Sequence, residues 1–433
     1  MSWTTLTLAE IARDGVFTDG DWVESKDQDP NGTVRLTQLA DVGAGEFRNR
    51  SNRWMREDQA ARLNCTFLQP DDVMIARMPE PIGRACLSPE NVGAAVTAVD
   101  VAILRIARPD ILPRFVMWAI NTPSFHARVE ALQSGTTRKR ISRKNLARLT
   151  LDIPPLDEQR RIVAILDDHL SRLDAADQLL DSSAKRARTL LRTALWGATH
   201  LAGETKQLAE IADVKLGRQR SPKNHSGADM VPYLRAANVD WNRLRLDDVK
   251  SMNFTAAERD TFTLLDGDIL LTEASGSPGE VGKSVVYRGQ PPPEVCFQNT
   301  VLRVRCFDAN PDFVQRYLLA EAYAGRFVAE SRGVGIHHLG RTRLSSWPIS
   351  LPDRHTQERA VEAADEVLSA VKRVEAELNL AGTRGQSLRR SLLSAAFQST
   401  DFTNSKINSV WAGDSFRRSR NRMVGSFRRR VPG

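Results

Sequence analysis

The chain has 433 residues, 41% hydrophobic and 26% charged, an ordinary balance for a soluble globular protein with room for two or three domains. No apolar run approaches the roughly 18 residues that mark a membrane-spanning helix, and no basic-then-apolar leader opens the sequence, so neither a membrane span nor a secretory signal is expected. The net charge of +8 invites a nucleic-acid reading, but residues 401–433 alone contribute +6, so global charge decides little.

The first 156 residues mix short β-type runs with turns and short helices, and Leu8-Ala9-Glu10-Ile11-Ala12 stands near their start. Val99–Ile106 reads as a strand and Arg114–Ile120 as the helix that follows it. Arg77 and Arg84 fall near predicted turns and are candidates for DNA contact. After the turn-prone, hydroxyl-rich Ser134-Gly135-Thr136-Thr137 comes Arg138-Lys139-Arg140-Ile141-Ser142-Arg143-Lys144-Asn145-Leu146-Ala147-Arg148, with six basic residues in eleven and no acid. Arginine and lysine neutralise phosphates, while Ser, Thr and Asn add hydrogen bonds to backbone oxygens or base edges. DNA contacts are therefore expected at Arg138, Lys139, Arg140, Arg143 and Lys144, with a solvated surface loop as the plainer alternative.

Pro154-Pro155 stops the next strand, and Asp157-Glu158 places negative charge where a helix start favours it. A long helix is predicted from Asp157 to Trp196, in a segment 157–197. Its apolar seam passes through Ile162, Leu166, Leu170, Leu173, Leu180, Ala184, Ala187, Leu191 and Ala194, with Asp177 at the one broken position.

From residue 198 the pattern starts again, at an offset that stays between 196 and 200 residues. Leu208-Ala209-Glu210-Ile211-Ala212 repeats the first pentapeptide. Ala237-Asn238-Val239 matches Ala40-Asp41-Val42, and the stretch from Leu264 to Leu271 matches that from Leu68 to Ile75. Gly282-Lys283 matches Gly83-Arg84, and Gln357 with Arg359 matches Gln159 with Arg161. The second domain is placed at 198–354, with a strand at Asn299–Val304 and a helix at Phe313–Leu319. Lys215, Arg218, Arg220 and Lys223 put four bases in nine positions. Arg235, Lys283 and the stretch from Arg332 to Arg343, with Arg341 and Arg343, are further candidates for DNA contact.

A second long helix is predicted from Thr356 to Phe397, in a segment 355–398. Its seam runs through Val361, Ala364, Leu368, Val371, Leu378, Ala381, Leu388, Leu392 and Ala395. Gly382 and Gly385 should weaken or bend it. Neither stripe can be left in water. The expected fold is mixed α/β (α+β): two similar globular domains joined by two long helices packed as an antiparallel coiled coil. Each helix folding back on its own domain is the alternative. Residues 399–433, rich in Arg, Ser and Asn, read as disordered, either a solvated tail or a DNA-binding arm.

Several segments look catalytic at first sight. Gly276-Ser277-Pro278-Gly279-Glu280-Val281-Gly282-Lys283-Ser284 approaches a phosphate-binding loop, but Ser277 stands where the pattern needs glycine, and the first copy has no such loop. Asn310-Pro311-Asp312-Phe313 resembles an adenine-methyltransferase motif with the wrong third residue and reads better as a helix start. His337-His338 are adjacent and point apart on regular structure. Cys65, Cys86, Cys296 and Cys306 are scattered without metal-ligand spacing and fit reduced thiols in a cytoplasm. No catalytic chemistry and no metal are expected in this chain.

Ile153-Pro154-Pro155-Leu156-Asp157-Glu158-Gln159-Arg160-Arg161-Ile162-Val163 resembles the strand-to-helix junction of the specificity subunit of type I restriction–modification enzymes. The duplication, the two helices and the domain starts extend the resemblance over residues 6–398. The second junction, Leu351 to Arg359, keeps Pro352 and Gln357 but lacks the second proline and a counterpart of Glu158. The resemblance implies two target-recognition domains, each reading half of a split sequence in double-stranded DNA. It implies that the helices act as a spacer and dock two methyltransferase (modification) subunits, which carry S-adenosylmethionine and methylate adenine. A restriction/translocase subunit would use ATP and Mg, and this chain would hold no cofactor of its own. Forty helical residues span about 60 Å, or roughly 18 base pairs as an upper bound on the spacer. A specificity factor of another DNA-modification or defence complex, or a bivalent helical scaffold that binds no DNA, are the other readings.

Overall fold

The computed structural model describes residues 3–78, 81–135, 138–275, 280–290, 294–329 and 337–398. The chain divides into two compact units, Met1–Leu179 with Ala381–Gly433, and Leu180–Leu380. Each unit therefore holds one globular domain, part of the first long helix and part of the second.

In the first unit a four-stranded antiparallel sheet runs in the order Val16–Asp19, Val101–Arg105, Val73–Ala76, Ala85–Leu87. Its two central strands are apolar on both faces. Val73, Ile75, Ala102 and Leu104 face the core that receives the helices, whereas Met74, Ala76, Val101 and Ile103 face a second cluster with Val42 and Leu68. Successive side chains point to opposite faces of a strand, so an unbroken apolar run is what a sheet covered on both sides requires. A three-stranded sheet, Trp54–Met55, Val34–Thr37 and Ala95–Thr97, has its last pair parallel. Thr4–Thr7 pairs antiparallel with Thr150–Ile153, which joins the start of the domain to the strand that enters the long helix.

The second unit repeats this topology. Its four-stranded sheet is Ala212–Leu216, Val301–Cys306, Ile269–Thr272, Ser284–Val286, and its three-stranded sheet is Lys250–Asn253, Met230–Leu234, Cys296–Phe297 with the last pair again parallel. Glu204–Gln207 pairs with Pro348–Leu351 as the closing strands. The repeated pentapeptides become matching turns: the backbone N–H of Leu8 donates to Leu149 O and that of Leu208 to Trp347 O, both at 2.9 Å. The Glu10 and Glu210 carboxylates accept from the N–H of Thr7 and Gln207, at 2.8 and 2.6 Å. The turn before each central strand is tied in the same way. Arg105 grips the buried Asp72 through two nitrogens at 2.8 and 2.7 Å, and Arg305 grips Asp268 through two at 2.6 Å. One position in that turn is left-handed in both copies, Asp71 at φ 64° and Gly267 at φ 86°.

The long helices run Leu156–Thr199 and Arg354–Gln398, 44 and 45 residues. In the first unit Ile162, Val163, Leu166, Leu170 and Leu173 share a core with Leu388, Leu392, Leu393 and Ala396. In the second, Ala187, Leu191 and Leu195 share one with Ala364 and Val371. Early residues of one helix meet late residues of the other in both units, which is antiparallel pairing. Toward the helix ends the buried positions are Leu195 and Ala396, one residue past the expected Ala194 and Ala395. A seam counted in threes and fours drifts against 3.6 residues per turn, and the slip accumulates with length. Gly382 and Gly385 lie inside an unbroken helix.

Each domain also holds its helix by polar contacts at equivalent places. Trp118 Nε1 donates to Asp167 at 3.0 Å in the first unit, and Arg316 Nε donates to Asp365 at 2.7 Å in the second.

Candidate nucleic-acid interface

The basic stretch of the first domain is a shaped loop. Ser134 and Arg140 exchange backbone hydrogen bonds at 2.9 and 3.0 Å and close a small hairpin. Ser142 Oγ accepts from Asn145 N at 3.1 Å and caps a short helix, Arg143–Ala147. Ile141 and Leu146 are fully buried and pin the loop to the core. Arg138, Lys139, Arg140, Arg143, Lys144 and Arg148 are exposed around these anchors, whereas Thr136 and Thr137 lie outside the described residues.

Beneath the loop sits a compact charge network. Arg77 is buried; its Nη1 lies 3.3 Å from Asp19 and its Nη2 donates to Val99 O at 2.6 Å. Burial pushes the Arg77 guanidinium below its usual value, and Asp19 opposes that effect. Arg143 donates to Phe17 O at 3.0 Å and approaches Asp19 at 3.6 Å, while Arg140 approaches Asp100 at 3.7 Å. Ile141 N donates to Arg77 O at 3.2 Å, which fixes loop to network. The exposed heads of Arg138, Arg140, Arg143 and Lys144 thus stand on a braced base, suited to several phosphate contacts at once.

The second domain uses the same anchor with different residues. Leu339 is buried and its N–H donates to Glu273 O at 2.9 Å, as Ile141 does to Arg77. His338 Nδ1 lies 3.3 Å from both oxygens of the Glu273 carboxylate. Arg341–Ser345 forms the matching short helix; Arg341 is exposed, and Arg343 donates to His338 O at 3.1 Å. The stretch 330–336, with Arg332, Gly333 and Gly335, lies outside the described residues.

The remaining expected residues fall into two groups. Arg220 and Lys223 are exposed and Lys215 is half-buried on a strand. The others turn inward or sideways. Arg84 is buried and donates to the carbonyls of Val42, Leu39 and Pro81 at 2.8, 3.0 and 3.2 Å, which gives it the part of a loop brace. Arg218 pairs with Glu258 at 2.7 Å, donates to Asn253 O at 2.6 Å and covers the Phe254 ring. Arg235 pairs with Asp248 at 2.6 Å, and Lys283 with Asp240 at 3.5 Å and with Glu280. Such long-range contacts to carbonyls and carboxylates leave no mark on a local sequence pattern. The first long helix carries a further basic run, from Lys185 to Arg192, on residues outside its apolar seam.

The segments that look catalytic fall at least partly within the described residues. Asn310 Oδ1 accepts from Asp312 N at 3.0 Å and caps the helix Pro311–Tyr323. Residues 276–279 lie outside the described residues. Among the described residues no group of three or more His, Cys, Asp or Glu is placed to hold a metal ion. Burial pushes the thiols of Cys65 and Cys296 up to about 11 and those of Cys86 and Cys306 up to about 12, which removes the thiolate a nucleophile needs.

The family model for the type I restriction modification DNA specificity domain matches residues 22–181 and again 203–380. The specificity subunit of the type I restriction enzyme EcoKI from Escherichia coli K12 is 20% identical over 69% of this chain and 68% of its own length. That of StySPI from Salmonella potsdam is 24% identical over 67% of this chain and 66% of its own length. A chain solved in work on complex assembly and conformational transition of the type I restriction–modification system superimposes with a TM-score of 0.71 at 17% identity, covering 92% of this chain and 98% of that one.

Proposed function

The chain belongs to the type I restriction modification DNA specificity family, and from that premise we propose that it is the DNA sequence-specificity subunit of a type I restriction–modification complex. The observation that carries this is the doubled domain with one loop anchor and two sets of loop residues. Ile141 on Arg77 and Leu339 on Glu273 hold the same position in the fold, yet present different chemistry. Two such domains suit a bipartite target whose halves differ in sequence, with phosphates setting register and base edges setting identity.

In this reading the chain supplies recognition and is not itself an enzyme. Two methyltransferase subunits, holding S-adenosylmethionine, and restriction/translocase subunits, using ATP and Mg, dock on it, with the paired helices as spacer. No helix among the described residues is long and apolar enough to cross a membrane, and the complex works in the cytoplasm, where its DNA lies. Mapping N6-methyladenine in the host with and without this gene tests the reading. One split motif should vanish with the gene; an unchanged set of motifs, in a strain that expresses the complex, would reject it.

A further inference from the structure

The first long helix carries its charge unevenly. Residues 157–179 hold six acids and three arginines, whereas 180–199 hold Asp181 alone against Lys185, Arg186, Arg188 and Arg192. All three early arginines meet a carboxylate of their own helix: Arg160 with Asp157 at 3.3 Å, Arg161 with Glu158 at 2.6 Å, Arg172 with Asp168 at 3.0 Å. The four later bases are all exposed, and among the described residues no carboxylate lies in ion-pair range of any of them.

Their placement is orderly. With 3.6 residues per turn, Arg188, Arg192, Lys185, Thr189, Thr193 and Arg186 fill one arc of about 160°, over about 12 Å of helix. Ala187 is buried on the opposite side, and the buried Leu191 and Leu195 follow about 60° and about 20° beyond the Arg188 edge of the arc. Like charges three and four residues apart destabilise a helix, so this face holds a repulsion that the earlier stretch relieves with carboxylates. The repeat keeps part of it: Arg384 and Arg390 stand on the second long helix where Arg186 and Arg192 stand on the first, and no acid occurs from Ala381 to Gln398.

We propose that this face of the first long helix is a second, sequence-independent contact with duplex DNA, in which Lys185, Arg186, Arg188 and Arg192 take phosphate oxygens and Thr193 adds a hydroxyl. Exposed bases with no carboxylate in ion-pair range among the described residues are what a polyanion relieves, through counterion release. Phosphate contacts carry no sequence information, so DNA held here goes unread. The inference rests on the DNA-specificity reading above. Leu190, 63% exposed at the edge of the arc, makes docking of a protein the competing outcome.

The test uses the full chain and a random-sequence duplex, with affinity followed as a function of salt. Replacing Lys185, Arg186, Arg188 and Arg192 by glutamine, a comparable helix former, should weaken binding and flatten the slope of log K against log salt by about 3 to 4, at about 0.9 per lost phosphate contact. Arg192→Gln alone should flatten it by about 1, and guards against misfolding of the fourfold variant. Exchanging the three arginines for lysine should keep the slope. A fourfold variant that keeps the parent's slope, while glutamine at Arg138, Lys139, Arg140 and Lys144 weakens binding, overturns this inference and leaves the specificity reading standing. If the loop variant binds like the parent too, or no protein binds, both fall. A fourfold variant that binds DNA normally but no longer co-purifies with a methyltransferase makes the face a protein dock and overturns the inference as well.

Discussion

Gln159 and Gln357 give the junction motif a physical content. Gln159 is fully buried at the start of the first long helix; its Oε1 accepts from Leu112 N, and its Nε2 donates to the carbonyls of Asp110 and Pro154, all at 2.8 Å. Gln357 accepts from Asn310 N at 2.9 Å and donates to Pro352 O at 2.8 Å. One amide thus ties the end of a strand, the start of the domain's apolar helix and the first turn of the long helix. The second junction has lost a proline and a glutamate but keeps the residue that makes these bonds. Gln159→Ala would leave a part-buried N–H and two carbonyls without this partner, and should lower unfolding free energy by about 2–3 kcal/mol, read as a lower urea midpoint. An unchanged midpoint would show that the motif is kept for something other than this tie. Single residues were otherwise the least legible part of the sequence. Arg84, Arg218 and Lys283 are candidates for DNA contact in the sequence, because the carbonyls and carboxylates that hold them come from elements up to 45 residues away.

Elements were more legible, since period and burial are linked directly. The strands around Val101–Arg105 and Val301–Cys306 were visible as apolar β-branched runs, and both helices as stripes at steps of three and four. Leu195 and Ala396 stand one residue past the seam of threes and fours because such steps drift against 3.6 residues per turn. The cost assigned to Gly382 and Gly385 is a matter of propensity, and the packing around them tells whether it can be removed. A Cβ at Gly382 would meet nothing within 4 Å, and one at Gly385 would meet Asp177 Oδ1 at 3.5 Å, an ordinary contact. Gly382→Ala and Gly385→Ala should therefore each stabilise the protein by about 0.8–1 kcal/mol, seen as a rise in the helical melting temperature by circular dichroism. A loss of stability in either would mean that the helix bends there in solution. Charge also favours the observed direction of pairing. Arg389, from the acid-free late stretch of one helix, pairs with Asp174 and approaches Asp177 at 3.8 Å in the acidic early stretch of the other.

At the scale of the whole molecule the repeat does what no single motif could. Neither basic loop alone separates a DNA contact from a solvated turn, and the tail that supplies most of the net charge lies outside the described residues. What argues for two readers is that one topology, one closing strand pair and one loop anchor occur twice, each followed by a helix of nearly the same length, 44 and 45 residues. If those helices set the gap between the half-sites, their length must be expressed in the target. Inserting seven residues midway along each helix adds about 10.5 Å, roughly 3 base pairs. Seven is the right step because it returns the apolar stripe to the same face within about 20°, whereas five would turn it toward water. Methylation mapping of such a variant should find both half-sites unchanged and the unread gap longer by roughly 3 base pairs. An unchanged gap would assign the spacing to the docked subunits, and an altered half-site would mean that the helices also orient the reading loops.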